Sequence, residues 1–383
     1  MSNKNYLSIY AKSFNWAGFF LPKKTYIKCS ALYDFCRVAD NIADSNELID
    51  IKKNNFDDFD NIIIPGFIDL HCHGGNGFDV MDGSNAIMEM SKYHLKHGTT
   101  SIMPTTWTNT LENTISALQG FNEIKIDNPN ILGVHLEGPF INPNKLGAQP
   151  NLTQKPSLDF INKILKIADV RVITLAPEID GMIKFINNIV NLNIKIQFGH
   201  TLADVHYCES IMKNHDVGFT HLYNAMSGND HRSPGVLSAA LSYGKYAEII
   251  CDNIHVSKQA IKIAKKCIPG LYAITDSINA SGMKDGEYNF ANNTITKENY
   301  SVKIKSDKTL AGSIVTMDQT FRNLISMNFS LEEAVSLTSY NASRYLNLNN
   351  IGVIKKYFQS NILVLDKEFN LKEVYLKGKK INV

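Results

Sequence analysis

The sequence predicts an α/β protein whose body is a (β/α)8 TIM barrel, flanked by an atypical helical N-terminal segment and a small, incomplete C-terminal β-structure. From residue 62 onward, eight short runs that are apolar on both faces alternate with longer amphipathic stretches. That alternation is the pattern of parallel strands covered by helices, and a count of eight favours a closed barrel over an open doubly wound sheet. Neither GxGxxG nor GxxxxGK[ST] follows any run, so dinucleotide and P-loop sites have no support.

The first 45 residues read as helical: SIYAKSFNWAGFF, then LP, then KKTYIKCSALYDFCRVADNIAD. Asp40 and Asp44 lie four apart there and project from one helix face, an arrangement able to hold Mg²⁺ against a diphosphate. A polar linker follows over 46–61. The eight strand-like runs are IIIPGFIDL (62–70), TTSIMPT (99–105), NILGVHL (130–136), VRVITLA (170–176), KIQFGH (195–200), VGFTHLY (217–223), YAEIICDN (246–253) and LYAITDS (271–277). Stretches such as SNAIMEMSKYHLKH (84–97), PSLDFINKILKIA (156–168) and SKQAIKIAKKCI (257–268) have helical periodicity. The barrel thus occupies 62–350, and 351–383 holds the C-terminal strands NILVLD (361–366) and EVYLKGKKI (373–381).

Composition narrows the class. A chain of 383 residues buries a large core, and 44% apolar with 20% charged residues is ordinary for a globular protein. A net charge of +2 gives no electrostatic case for nucleic acid or an anionic membrane. The six cysteines (29, 36, 72, 208, 251, 267) form no CxxC pair and suit a reducing cytosol. The apolar patch WAGFFL (16–21) is too short to span a bilayer. A cytoplasmic enzyme is the expectation.

The residues with chemistry fall at strand ends. His71 and His73 follow the first run, Glu137 the third, His200 the fifth and His255 the seventh. His221 ends the sixth and Asp276 the eighth. In a barrel these ends converge on one mouth. Each residue alone has an ordinary reading as a hydrogen-bonded core or surface group. Together, imidazoles and a carboxylate supply the N and O donors that suit Zn²⁺ or Fe²⁺. Asp276 would then be the general base, moving a proton from an activated water to a leaving amine.

The strings PGFIDLHCHGG, HLEGPFIN, FGHT, THLYNAMS, HRSPGV, NIHVS, TDS, DGEY and LAGSIVTMDQ run in order from about 62 to 350. They resemble the amidohydrolase superfamily and, within it, the N-acetylglucosamine-6-phosphate deacetylases. The resemblance implies a metal-dependent barrel with one or two ions, a phosphorylated amino sugar as substrate, and a homodimer. It places Glu137, His200 and His221 at the main metal site, with His71 and His73 as ligands of a second ion. It makes Asp276 the catalytic aspartate, and Asn224, the Ala225 backbone and Arg232 the sugar-phosphate contacts. His255 becomes a substrate-binding histidine, and Ala311, Gly312 and Ser313 of LAGS line the acetyl end.

Two departures accompany the resemblance. Relatives usually carry a histidine twelve residues after the glutamate, where this chain has Gln149; an amide still donates a hydrogen bond but carries no charge. Relatives also begin with strands of a small β-sandwich. Residues 1–45 instead resemble the opening of squalene/phytoene synthases through SFNWAGFFLPKKTY and ALYDFCRVADNIAD, without a second aspartate-rich helix. Three alternatives follow: another amidohydrolase of dihydroorotase or dipeptidase type, although VRVITLAPE lacks the bridging lysine of many of those; an isoprenoid-binding fragment; or a non-catalytic fusion with exposed strand edges over 361–381.

Overall fold

The computed structural model describes residues 61–128 and 130–382. The helical reading of 1–45, its aspartate pair and squalene-synthase likeness, and the linker up to residue 60 lie outside the described residues. The eight barrel strands are β1 (Phe67–Cys72), β2 (Thr99–Thr106), β3 (Val134–Glu137), β4 (Val170–Leu175), β5 (Lys195–Phe198), β6 (Val217–Phe219), β7 (Tyr246–Ile250) and β8 (Gly270–Ile274). Strands β1 to β6 form one parallel sheet in chain order, and β7 pairs in parallel with β8. The two parts are joined where Leu222 N donates to Glu248 O (2.9 Å) and Asp276 N donates to His71 O (2.9 Å). Every residue of β1, β2, β3 and β8 is buried, as the two-sided apolar runs require.

Local signals place the helices. In helix Leu158–Leu165 the Ser157 hydroxyl accepts from Phe160 N, and Phe160, Ile161 and Ile164 face inward. Helix Lys258–Cys267 repeats the device, with Ser257 accepting from Ala260 N and Ile261 and Ala264 buried. An N-cap hydroxyl satisfies one of the orphan N–H groups of the first turn, and the buried face supplies most of the stabilisation.

The run 62–70, read as one strand, is divided at Gly66. Ile62–Pro65 pairs antiparallel with Ile362–Leu365, while Phe67–Cys72 enters the barrel beside Thr99–Thr106. Pro65 removes a ladder donor, and Gly66 N turns to Asn361 O at 2.9 Å. The C-terminal strands Leu371–Leu376 and Lys379–Ile381 complete a four-stranded sheet with that pair. The eighth strand is also shorter than the run 271–277: it ends at Ile274, and Asp276 adopts φ 49° beyond it.

An antiparallel sheet of Gly286–Phe290, Asn293–Glu298 and Ser301–Ile304 inserts after β8. It escapes a periodicity reading because Gly286–Phe290 buries only Phe290. Phe290, Ile295, Val302 and Ile304 pack with Trp107 and Ile278 in a separate apolar cluster. No helix among the described residues is long and apolar enough to cross a membrane.

A Cβ built on Gly66 would lie 2.1 Å from Thr100 Oγ1. Gly66→Ala should therefore cost about 1–3 kcal/mol, as overpacking does. Gly228→Ala, at an exposed position where an added Cβ meets nothing within 4 Å, should be near neutral. Chemical denaturation of the two variants checks the contrast.

Candidate metal centre and active site

The C-terminal strand ends open on a cavity of about 380 Å³. Glu137, at the end of β3, stands at its centre. Its Oε1 lies 3.0 Å from His200 Nε2 and 2.9 Å from His221 Nε2, and those two nitrogens are 3.0 Å apart. Beside this trio, His71 Nε2 and His73 Nε2 are 3.2 Å apart and lie 3.6 and 3.4 Å from Asp276 Oδ1. Glu137 borders both groups, since its Oε2 is 3.2 Å from His73 Nε2. Within each trio the candidate ligand atoms lie inside 4.8 Å of one another.

The hydrogen bonds on the far side of the rings decide what the near side offers. His71 Nδ1 faces Glu248 Oε2 at 2.8 Å, His73 Nδ1 faces Thr105 O at 2.9 Å, and His200 Nδ1 faces Lys145 O at 2.8 Å. Carbonyls and carboxylates only accept, so each Nδ1 carries the proton and each Nε2 presents a lone pair. His221 differs: its Nδ1 is buried with no hydrogen-bond partner among the described residues. Lone pairs 3.2 Å or less apart need a cation between them, and an N/O donor set of this kind fits Zn²⁺ or Fe²⁺.

Electrostatics say the same. Burial opposes charge throughout the cluster, yet the contacts outweigh it. Glu248 and Glu137 hold the His71 imidazole well above its usual value. Hydrogen bonds to Asp276 and Glu137 raise His73 to about 9. His73 and His71 depress Asp276 to about 2, and His71 and His200 hold Glu137 well below the carboxylate range. Positive charge is favoured between two carboxylates, and a divalent cation would supply it while displacing ring protons.

Several of these residues occupy strained backbone. His200 (φ 50°), His221 (φ 28°), Ala225 (φ 49°) and Asp276 (φ 49°) all lie at positive φ without being glycine. Such conformations cost on the order of 1–3 kcal/mol each and cluster at functional sites. Local hydrogen bonds hold them: Asn142 N to His200 O (2.9 Å), Thr201 N to Ala225 O (3.1 Å) and Ser313 N to Asp276 O (2.7 Å).

The remaining candidates divide. Asn224, Ala225, His255, Gln149 and Gly312 line the cavity. Gln149 is also a brace: its Nε2 donates to Glu137 Oε2, and its Oε1 accepts from Thr108 N (2.6 Å). His255 is held by Asp252 Oδ2 at 2.6 Å. Ala311 and Ser313 are buried behind the wall, where Ser313 supports the Asp276 backbone instead of facing the cavity. Arg232 is exposed and is not among the residues lining the cavity; it sits on a turn in which Asp230 Oδ1 accepts from both Arg232 N and Ser233 N. Sequence reasoning passed over Glu248 and His135. The available signal for Glu248 was a lone carboxylate inside the apolar run YAEIICDN.

Comparison with known proteins agrees with this geometry. The chain is 37% identical over 303 residues to the N-acetylglucosamine-6-phosphate deacetylase of Bacillus subtilis, covering 76% of each chain. It is 28% identical over 353 residues to the N-acetylgalactosamine-6-phosphate deacetylase of Escherichia coli O157:H7, covering 89% of this chain and 93% of the relative. The crystal structure of N-acetylglucosamine-6-phosphate deacetylase from Thermotoga maritima superposes with a TM-score of 0.78 at 28% identity, covering 83% of this chain and 88% of that one. The sequence pattern of the Amidohydrolase family matches residues 62–381, and the chain belongs to that metal-dependent family of hydrolases.

Proposed function

We propose that the chain hydrolyses the acetamide of N-acetyl-D-glucosamine 6-phosphate, giving D-glucosamine 6-phosphate and acetate, in cytoplasmic amino sugar catabolism and recycling. The observation that carries this is the pair of N/O donor trios at the cavity, Glu137, His200 and His221 beside His71, His73 and Asp276, with Glu137 Oε2 3.2 Å from His73 Nε2. Relatives named for this reaction match across most of the chain. Glu137, His200 and His221 would hold a principal Zn²⁺ or Fe²⁺ ion, and His71 and His73 would hold a second. When bound, such an ion polarises an amide carbonyl and lowers the pKa of a water toward about 7.

The chain's own residues supply the proton path and the grip on substrate. Asp276, ionised at neutral pH, takes a proton from the attacking water and returns it to the departing amine. Its support by Ser313 and by the seam to His71 keeps that carboxylate over the cluster. Asn224, the Ala225 backbone and His255 would hold the sugar phosphate from within the same cavity. Gln149 places a neutral amide, already engaged by Glu137 and Thr108, where the resembling enzymes usually offer a histidine able to polarise the acetamide oxygen. A homodimer is part of the same reading.

The match to an N-acetylgalactosamine-6-phosphate deacetylase over 89% of the chain favours one second reading, the epimeric sugar phosphate. Acetate release from the two substrates, compared at equal concentration, separates them, and faster release from the gluco sugar is expected. Chelation should abolish release, and added Zn²⁺ or Fe²⁺ should restore it. Asp276→Asn should lower kcat by about 10²–10⁴ at matched metal content; full activity would overturn its role. Gln149→His should raise kcat/KM on the acetylated sugar phosphate, and a fall or no change would sink the interpretation of Gln149.

A further inference from the structure

Beneath the two donor trios the barrel interior is polar, and one carboxylate ties that layer to the site. Glu248, on β7, is 0% exposed. Its Oε2 accepts from His71 Nδ1 at 2.8 Å and from His221 N at 3.2 Å, and its Oε1 accepts from the Tyr272 hydroxyl at 3.4 Å. Tyr272 in turn accepts from Gln197 Nε2 at 2.7 Å, and Gln197 Oε1 accepts from Thr220 Oγ1 at 2.8 Å. A single oxygen therefore touches a ring in one trio and the backbone of a ligand in the other.

Ligand-type atoms of His71, His135 and Glu248 also gather within 4.8 Å, but they do not form a third cation site. His135 Nδ1 faces Leu70 O at 3.2 Å and so must donate, which leaves its Nε2 to accept from Thr174 Oγ1 at 2.7 Å. The His71 nitrogen in this set carries the proton given to Glu248. Both rings present no spare lone pair toward Glu248, so the carboxylate acts there as an acceptor and not as a metal ligand.

We propose that Glu248 is the positioning residue of the metal centre. It sets the tautomer and ring plane of His71, and it anchors the strained His221 backbone, whose φ is 28°. Without an acceptor on Nδ1, His71 is free to carry its proton on Nε2, where a lone pair must face His73 3.2 Å away. Acceptors of this kind behind metal-ligating histidines are worth about 10–100-fold in metal affinity. The inference rests on the metal-dependent reading of the site and is independent of which sugar is the substrate.

The test is Zn²⁺ affinity of the full chain, measured by competition with a chromophoric chelator and without substrate. Glu248→Leu removes the acceptor, and the ion held by His71 and His73 should bind about 10–100-fold more weakly. Glu248→Gln, whose amide oxygen can replace Oε2, should restore affinity to within a few-fold. Circular dichroism of the chelated proteins reports folding. Where the leucine variant does not fold, Glu248→Asp, which withdraws the oxygens by one methylene, must weaken binding in the same direction. Unchanged affinity of every bound ion in a folded leucine or aspartate variant overturns the proposal. A chain that shows the expected affinities yet releases no acetate would instead refute the deacetylase reading and leave the role of Glu248 standing.

Discussion

Closure of the barrel between its last and first strands is the constraint on which the site depends. Asp69 Oδ2 accepts from Thr275 Oγ1 at 2.6 Å and Asp69 Oδ1 from Thr275 N at 3.2 Å, while Asp276 N reaches His71 O. Residues some two hundred positions apart are thereby held at one seam. Asp276 can stand 3.4 Å from His73 only because this seam is closed. The same closure hides Asp69, whose carboxyl burial pushes up to about 6 even though Thr275 hydrogen bonds favour its charged form. Stability and placement of the Asp276 carboxylate are one problem at this edge.

Around that seam the protein stores unfavourable terms and offsets them locally. Buried imidazoles crowd within about 3 Å of one another, and several site residues hold positive φ. Neither would persist in a loosely packed mouth. The acceptors Glu248, Thr105 and Lys145 orient the rings from outside, and the inserted sheet Gly286–Ile304 contributes Phe290 to the cavity wall. A site whose rings are already oriented does not have to reorganise when a cation arrives, which is the usual advantage of fixed outer partners.

Much of the barrel was legible because strands buried on both faces produce continuous apolar runs, and helices between them produce a period near 3.6. The clustered histidines were legible because they fall at or just beyond the ends of those runs. The division at Gly66 was not, since IIIPGFIDL is apolar throughout and only the pairing partner, Ile362–Leu365, separates its two halves. The inserted sheet was hidden by its polar, half-exposed strands. Arg232, a sugar-phosphate contact by motif, is exposed on a turn held by Asp230 and is not among the residues lining the cavity, a placement no periodicity shows.

By itself the sequence determined the alternation of strand and helix and the residue types able to bind a cation and move a proton, because these follow from composition and periodicity along the chain, while the likeness to a family came from its motif strings alone. Tertiary structure alone decided which imidazole nitrogen faces the centre, since that depends on acceptors such as Thr105 O, Lys145 O and Glu248 brought in from other strands and loops. It also decided that Gln149 braces Glu137 and that Ser313 supports Asp276. Hydrogen-bond direction is a property of pairs in space, and the partners here lie from 12 to 177 residues apart in sequence.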